Sequence, residues 1–417
     1  MIDYEQFFSR VGHTMRESAI RKMGTVLADA RDMVSFAPGY PTESTFPWEA
    51  FRAIADDLLR GQQGPVLQYG PTRGYRPLLE SIATIMQSRG IATSDEQLTV
   101  TNGSQQGLDL IARVLFDPGD IVLVELPSYT GAITAFRNVG AELVGVAQDD
   151  DGLNLEALDA TLVRLRGEGR TVRCLYVVPN FQNPTGLLVG LTKRTQLLEW
   201  AARRNVLIIE DDPYRDLFFE DVTQESETRA IAADDREGRV VYLSSFSKTL
   251  APGLRVAWLH AAPALLAKFE MAKQASDLCN SGLAQQMVDQ SIRRGVLAQQ
   301  LPKLRAHYRS QRDCMDEALK GAFGARLSWA QPRGGFFLWA ALTGSVDGDA
   351  LLPFAQARGV IYVAGSAFFV SGNERRFIRL SFSSPTPERI REGVARLALA
   401  VTDASQPVAA TAGPASR

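Results

Sequence analysis

Residues 240–259 read VVYLSSFSKTLAPGLRVAWL. Two apolar runs, Val240–Leu243 and Arg255–Leu259, flank a turn of small hydroxyl residues that carries one lysine, Lys248. Apolar residues at consecutive positions suit strands buried on both faces of a mainly parallel sheet. The same kind of run recurs upstream at Gln97–Val100, Ile121–Val124, Cys174–Val178 and Val206–Ile209, with longer helical patterns between. That alternation predicts an α/β fold with helices on both faces of the sheet.

Toward the C-terminus the pattern changes. It turns helical from Ala264–Lys273, which Pro263 can open as a first-turn proline, to about Phe323. It then returns to strands at Arg326–Ser328, Gly335–Trp339, Val360–Val363 and Arg376–Phe382, and a closing helix starts near Pro387. This mixed stretch predicts a smaller α+β domain, with the tail from Asp403 disordered.

The chain has 417 residues, a formal net charge of −2, three cysteines and three histidines. Basic residues such as Arg203 with Arg204 come in pairs rather than stripes, which argues against nucleic-acid or membrane-surface partners. Cys174, Cys279 and Cys314 stand far apart, so no zinc site or disulfide framework is expected. The first residues carry Asp3, Glu5, Arg10, Arg16 and Glu17 with no apolar run, and a cytosolic protein is expected.

In an open parallel sheet, ligands collect beyond the carboxyl ends of the strands, so the residues that follow each run matter most. After Val100 comes Thr101-Asn102-Gly103-Ser104-Gln105-Gln106-Gly107, a strand-to-helix turn that can cradle an anion or simply cap a helix. After Ile209 comes Glu210-Asp211-Asp212-Pro213-Tyr214. Three adjacent acids there either take a cationic partner or form a solvated loop. Lys248, if buried near positive charge, loses its proton and becomes a nucleophile toward an aldehyde; otherwise it is an ordinary surface lysine. Arg255 inside an apolar run needs an anion, and a phosphate serves. In Phe377-Ile378-Arg379-Leu380-Ser381-Phe382, alternation sets Arg379 on the face opposite Ile378, Leu380 and Phe382.

SSFSKTLAPGLRVAW, NPTG at 183–186, EDDPY at 210–214, TNGSQQGLDL at 101–110 and RLSF at 379–382 together resemble the fold-type I, pyridoxal-phosphate (PLP) aminotransferases of class I and II. The likeness is greatest to the branch with 2-aminoadipate, kynurenine and broad-specificity enzymes, and runs from roughly residue 15 to 400. It implies a large domain, residues 51–300, with a seven-stranded sheet; a small domain, 301–402; and an N-terminal segment, 1–50, packed against the small domain and the site. It also implies a homodimer with shared active sites and a ping-pong exchange between an L-amino acid and a 2-oxo acid, 2-oxoglutarate foremost.

The resemblance implies roles as well. Lys248 carries PLP as a Schiff base and relays the proton, Asp211 pairs with the ring nitrogen, and Asn183 and Tyr214 bond its phenolic oxygen. Tyr129 stacks on the ring; Ser104, Gln105, Ser245 and Arg255 hold the phosphate, joined by Tyr69 from the neighbouring subunit. Arg379, with Gly39, grips the substrate carboxylate. Arg21 meets a distal substrate carboxylate. Pro38-Gly39-Tyr40-Pro41 stands where that branch commonly has Gly-Gly-Leu-Pro, and Tyr40 at the mouth suits aromatic or aliphatic side chains too. A lyase or synthase on the same scaffold shares these residues. A cofactor-sensing transcription regulator is the rival from another class, though only about 35 residues precede Ser35 and no basic stripe accompanies them.

Overall fold

The computed structural model describes residues 1–15, 32–62, 64–219, 222, 225–344 and 346–405. The first strand, β1 (Val34–Ser35), belongs to the C-terminal part and is placed below. The large sheet is built from β2 (Leu98–Asn102), β3 (Ile121–Leu126), β4 (Glu142–Asp149), β5 (Gly152–Leu153), β6 (Val172–Val177), β7 (Leu207–Asp211), β8 (Val240–Ser245) and β9 (Val256–His260), in the order β2-β9-β8-β7-β6-β3-β4-β5. Strands β4, β3, β6, β7 and β8 run parallel, while β9 is antiparallel to both of its neighbours.

The sheet therefore has eight strands where the resemblance implied seven. The additional member is β5, two residues that fold back antiparallel on β4 at the edge. β4 itself was absent from the apolar runs. It lies near that edge, is only partly buried, and carries Gly145, where a Cβ would come within 2.3 Å of Leu126.

Alternation along each strand divides the core between the two faces. Leu175, Val177, Ile208, Val240, Tyr242 and Trp258 pack on one side with the helices Arg76–Ser88, Leu155–Gly167, Leu191–Arg204 and Gly282–Arg293. Cys174, Tyr176, Ile209, Val241, Leu243 and Leu259 pack on the other with Ser104–Leu115, Thr130–Asn138 and Pro263–Gln274. Both faces covered is what the consecutive apolar positions required.

The smaller sheet comprises β10 (Leu327–Trp329), β11 (Phe337–Leu342), β13 (Val363–Ala364) and β14 (Phe377–Ser381), antiparallel in the order β10-β11-β14-β13; β12 (Val360–Ile361) pairs instead with β1. Its core takes in the helices Val296–Phe323 and Pro387–Ala404 and also Phe181, Tyr214, Leu217 and Phe219 from loops of the large sheet. The shared core fixes one sheet relative to the other. The closing helix is capped by Thr386, opens on Pro387 and continues through Asp403, which pairs with Arg358 at 2.7 Å. Asp403 thus belongs to the fold rather than to a disordered tail, and residues 406–417 lie outside the described part.

Candidate active site

The turns beyond β2, β3, β7 and β8 meet β14 and the segment 36–40. At the end of β2, Gly103 takes a φ of 75° and caps the helix Ser104–Leu115. Arg255, itself left-handed at φ 54°, reaches across to donate from Nη2 to the Asn102 carbonyl at 3.1 Å. A Cβ on residue 103 would stand 2.0 Å from that Nη2. Only glycine leaves room for a guanidinium directly over a helix N-terminus, an arrangement that gathers positive potential for an anion. Ser245 faces the same region at the end of β8, its hydroxyl donating to Ser247 Oγ at 2.8 Å and accepting the Ser247 N–H at 2.9 Å. Gln105 donates to the Gly131 carbonyl at 3.0 Å, which ties the β2 turn to the Tyr129 turn.

The three acids after Ile209 are all buried, at 0–2% exposure, and they separate by partner. Glu210 accepts the Ile231 and Ala232 N–H groups at 2.8 and 2.9 Å, and burial lifts its carboxyl to about 8. Asp212 accepts Asn180 Nδ2 and the Tyr242 hydroxyl, each at 2.8 Å. Asp211 accepts only the Tyr176 hydroxyl, at 2.8 Å on Oδ2; its Oδ1 is buried with no hydrogen-bond partner among the described residues. Burial raises Asp211 to about 7, opposed by the Tyr176 hydrogen bond. The solvated-loop reading of the triplet fails, and Asp211 alone keeps a carboxylate oxygen for something else.

Lys248 Nζ donates to the Gly39 carbonyl at 2.8 Å and lies 5.8 Å from the Tyr214 ring. Burial, then Arg255 and Arg379, bring its amine down to about 8. It is not an ordinary surface lysine. Gly39 is confined too, since a Cβ there would come within 2.4 Å of the Phe337 ring.

Arg379 projects from β14 at 1% exposure, between the rings of Phe337 at 4.4 Å and Phe368 at 5.1 Å. It donates to Asn183 Oδ1 at 2.8 Å and to the Ala37 carbonyl, while its Nε has no partner among the described residues. Burial lowers its guanidinium to about 10, so the charge persists at neutral pH. Asn183 precedes a cis proline, and Tyr214 is 4% exposed with its phenol pushed up by burial. Tyr40 is half-exposed, its carbonyl accepting Ser383 Oγ at 2.8 Å.

The structure thus gathers Lys248, Asp211, Tyr214, Asn183, Arg379 and Gly39 with Tyr129, Ser104, Gln105, Ser245 and Arg255. Tyr69 does not join them: its ring is 78% exposed. Arg21 falls outside the described residues. Tyr176 and Phe368 escaped the sequence reading. A tyrosine within a wholly buried strand needs a partner for its hydroxyl, and that was the available signal for Tyr176.

Residues 32–397 match the family model for aminotransferase class I and II, and the chain belongs to that family. It is 39% identical, over 95% of its length and 94% of the relative's, to aromatic-amino-acid aminotransferase 1 of Thermococcus litoralis. Among solved structures, it resembles the kynurenine aminotransferase of Pyrococcus horikoshii, solved with PMP, at TM-score 0.91 and 36% identity over 97% of this chain and 99% of that one. It also resembles the α-aminoadipate aminotransferase of Thermus thermophilus complexed with N-(5'-phosphopyridoxyl)-L-leucine, at TM-score 0.88 and 35% identity over 97% and 99%. The protein is a PLP-dependent amino-acid transaminase with the fold-type I architecture. Its own residues fit that cofactor: Asp211 Oδ1 is a buried acceptor of the kind a ring N–H needs, Lys248 is an amine eased toward neutrality, and the Gly103–Arg255 turn offers positive potential to a phosphate.

Proposed function

We propose that the enzyme moves the amino group of an L-amino acid with an aromatic, aliphatic or 2-aminoadipate side chain to a 2-oxo acid, 2-oxoglutarate foremost, by ping-pong exchange. The observation that carries this reading is the pairing of a buried, unpartnered Asp211 oxygen with a buried Arg379 whose Nε also lacks a described partner. One group faces a cationic ring and the other an anionic substrate end. PLP, when bound, supplies an electron sink for the carbanion formed at the substrate α-carbon.

Lys248 is the amine that holds the cofactor aldehyde and, once substrate displaces it, the base that carries the α-proton. Asn183 and Tyr214 donate to the ring oxygen. Tyr129 stacks on the ring, and Ser104, Gln105, Ser245 and Arg255 hold the phosphate. Arg379 takes the α-carboxylate on its fork with backbone help from Gly39, fixing the α-carbon bond for proton loss. Tyr40, half-exposed, stands at the side-chain end of the substrate, and the family resemblance gives Arg21 the role of meeting an acidic side chain.

The active unit is a homodimer in which Tyr69 reaches the neighbour's phosphate, and its exposed ring supports that placement. A reducing cytosolic setting suits three cysteines that are all unpaired. The named relatives support a broad donor range without choosing within it.

The test is a donor panel read in half-reactions. A productive donor alone should convert the bound cofactor to its amine form, and 2-oxoglutarate or pyruvate alone should then restore the aldehyde spectrum. Product formed from the donor with no amine-form cofactor would replace transamination by the lyase reading.

A further inference from the structure

We propose that Tyr176 is a positioning residue that keeps Asp211 ionised and presents one fixed oxygen, Oδ1, to the cofactor ring. The inference rests on the reading above that Asp211 faces the ring nitrogen. Tyr176 lies on β6, one strand from Asp211 on β7, and is fully buried. Its hydroxyl donates to Asp211 Oδ2 at 2.8 Å.

The phenol ring is held against movement. Phe136 meets it edge-on at 5.6 Å, and Phe116 backs Phe136 in the same manner at 5.4 Å. Because the phenol occupies Oδ2, the carboxylate cannot turn without breaking a buried hydrogen bond. The oxygen left without a partner among the described residues is Oδ1.

A donor on a carboxylate stabilises the charged form, and here little else does. Asp212 beside it adds negative charge, and the Glu125 carboxyl at the end of β3, lifted by burial to about 8, and the Tyr214 phenol are neutral; Lys248 is the cation nearby. Without the phenol, both carboxylate oxygens lie buried and unpartnered, and the acid takes up a proton. A neutral acid cannot balance a protonated ring nitrogen, so that nitrogen gives up its proton as well. The lysine–cofactor nitrogen then feels one positive charge fewer and keeps its own proton to higher pH.

Tyr176→Phe removes only the hydroxyl and preserves the packing against Phe136. The measurement is the visible absorbance of the bound cofactor titrated with pH in the holoenzyme, alongside Asp211→Asn. Both variants should shift the midpoint upward, Tyr176→Phe by about one pH unit. Reconstitution with N-methyl-PLP, whose ring charge is permanent, should abolish the difference between Tyr176→Phe and the unsubstituted protein. An unmoved midpoint in Tyr176→Phe alongside a moved one in Asp211→Asn would overturn the role of Tyr176 alone. Unmoved midpoints in both variants would overturn the placement of Asp211 as well.

Discussion

Lys248 owes its chemistry to three neighbours. Burial strips water from the ammonium, Arg255 and Arg379 repel it, and Asp211 only partly compensates, which leaves the amine at about 8. Condensation with an aldehyde needs the neutral amine, so the reactive fraction of the cofactor-free chain rises with pH and saturates above that value. The rate of cofactor uptake, followed by absorbance, should increase about tenfold per pH unit below roughly 8 and level off above it. A flat profile between pH 6 and 9 would mean that the amine is already neutral or that another step limits uptake. Residues of this kind were legible in the sequence because their chemistry is out of place: a lysine among serines after a buried strand, an arginine in an apolar alternation. Among the three acids, composition and position offered no means of choosing, and only the family resemblance, through the spacing to Tyr214, pointed to Asp211. Asp211 separates from Glu210 and Asp212 only by what its oxygens touch, and two of the deciding partners, Tyr242 and the Ile231 N–H, lie far along the chain.

At the scale of elements, the unit proposed to hold the cofactor phosphate is β2, its glycine turn and the helix Ser104–Leu115. Asn102, the last residue of β2, is held on all sides: its N–H by Gln106 Oε1, its carbonyl by Arg255, its amide nitrogen by Asp277 and its amide oxygen by Asn280. Farther along, Gly107 lets the helix lie close on the sheet, since a Cβ there would come within 2.6 Å of Leu243. The turn is therefore rigid before any anion arrives. Gly103→Ala asks a side chain to accept a φ of 75° and drives a methyl into the Arg255 guanidinium. The backbone strain alone costs about 1 kcal/mol. Displacing a charge-assisted phosphate contact adds about 1.5–3 kcal/mol. PLP affinity of the reconstituted variant, measured by equilibrium dialysis, should fall between about seventyfold and a thousandfold. A change below threefold would show that Arg255 does not depend on this turn. This element could be read in advance because its punctuation is local. β4 could not be, since a strand next to the edge is only partly buried and its middle glycine replaces the apolar side chain that periodicity looks for. The reversed direction of β9 also leaves no mark in composition: an antiparallel strand buried within a sheet has the same apolar run as a parallel one.

Considered as a whole molecule, the site is a seam. Lys248, Asp211 and Arg255 belong to the large sheet, while Arg379 and the segment 36–40 belong to the smaller one. A substrate carboxylate gripped by Arg379, as proposed above, would join the two. On the same proposal the remaining side of the seam concerns a second copy of the chain. Tyr69 is 78% exposed and Leu67, two residues before it, 79%. A ring so bare is free to reach a second chain. If Tyr69 serves the neighbour's phosphate, then Lys248→Ala and Tyr69→Ala damage the same site from different chains. A dimer made of one chain of each variant holds one site with both defects and one with neither. Unfolding and refolding the two inactive variants together should regain about a quarter of the unsubstituted activity, because half of the dimers are hybrids and each hybrid has one intact site. The recovered rate should also scale with the hybrid fraction measured by native mass spectrometry. If mixing restores nothing although hybrids form, Tyr69 acts within its own chain or not at all, and the shared site must be abandoned while Lys248 and Asp211 keep their places.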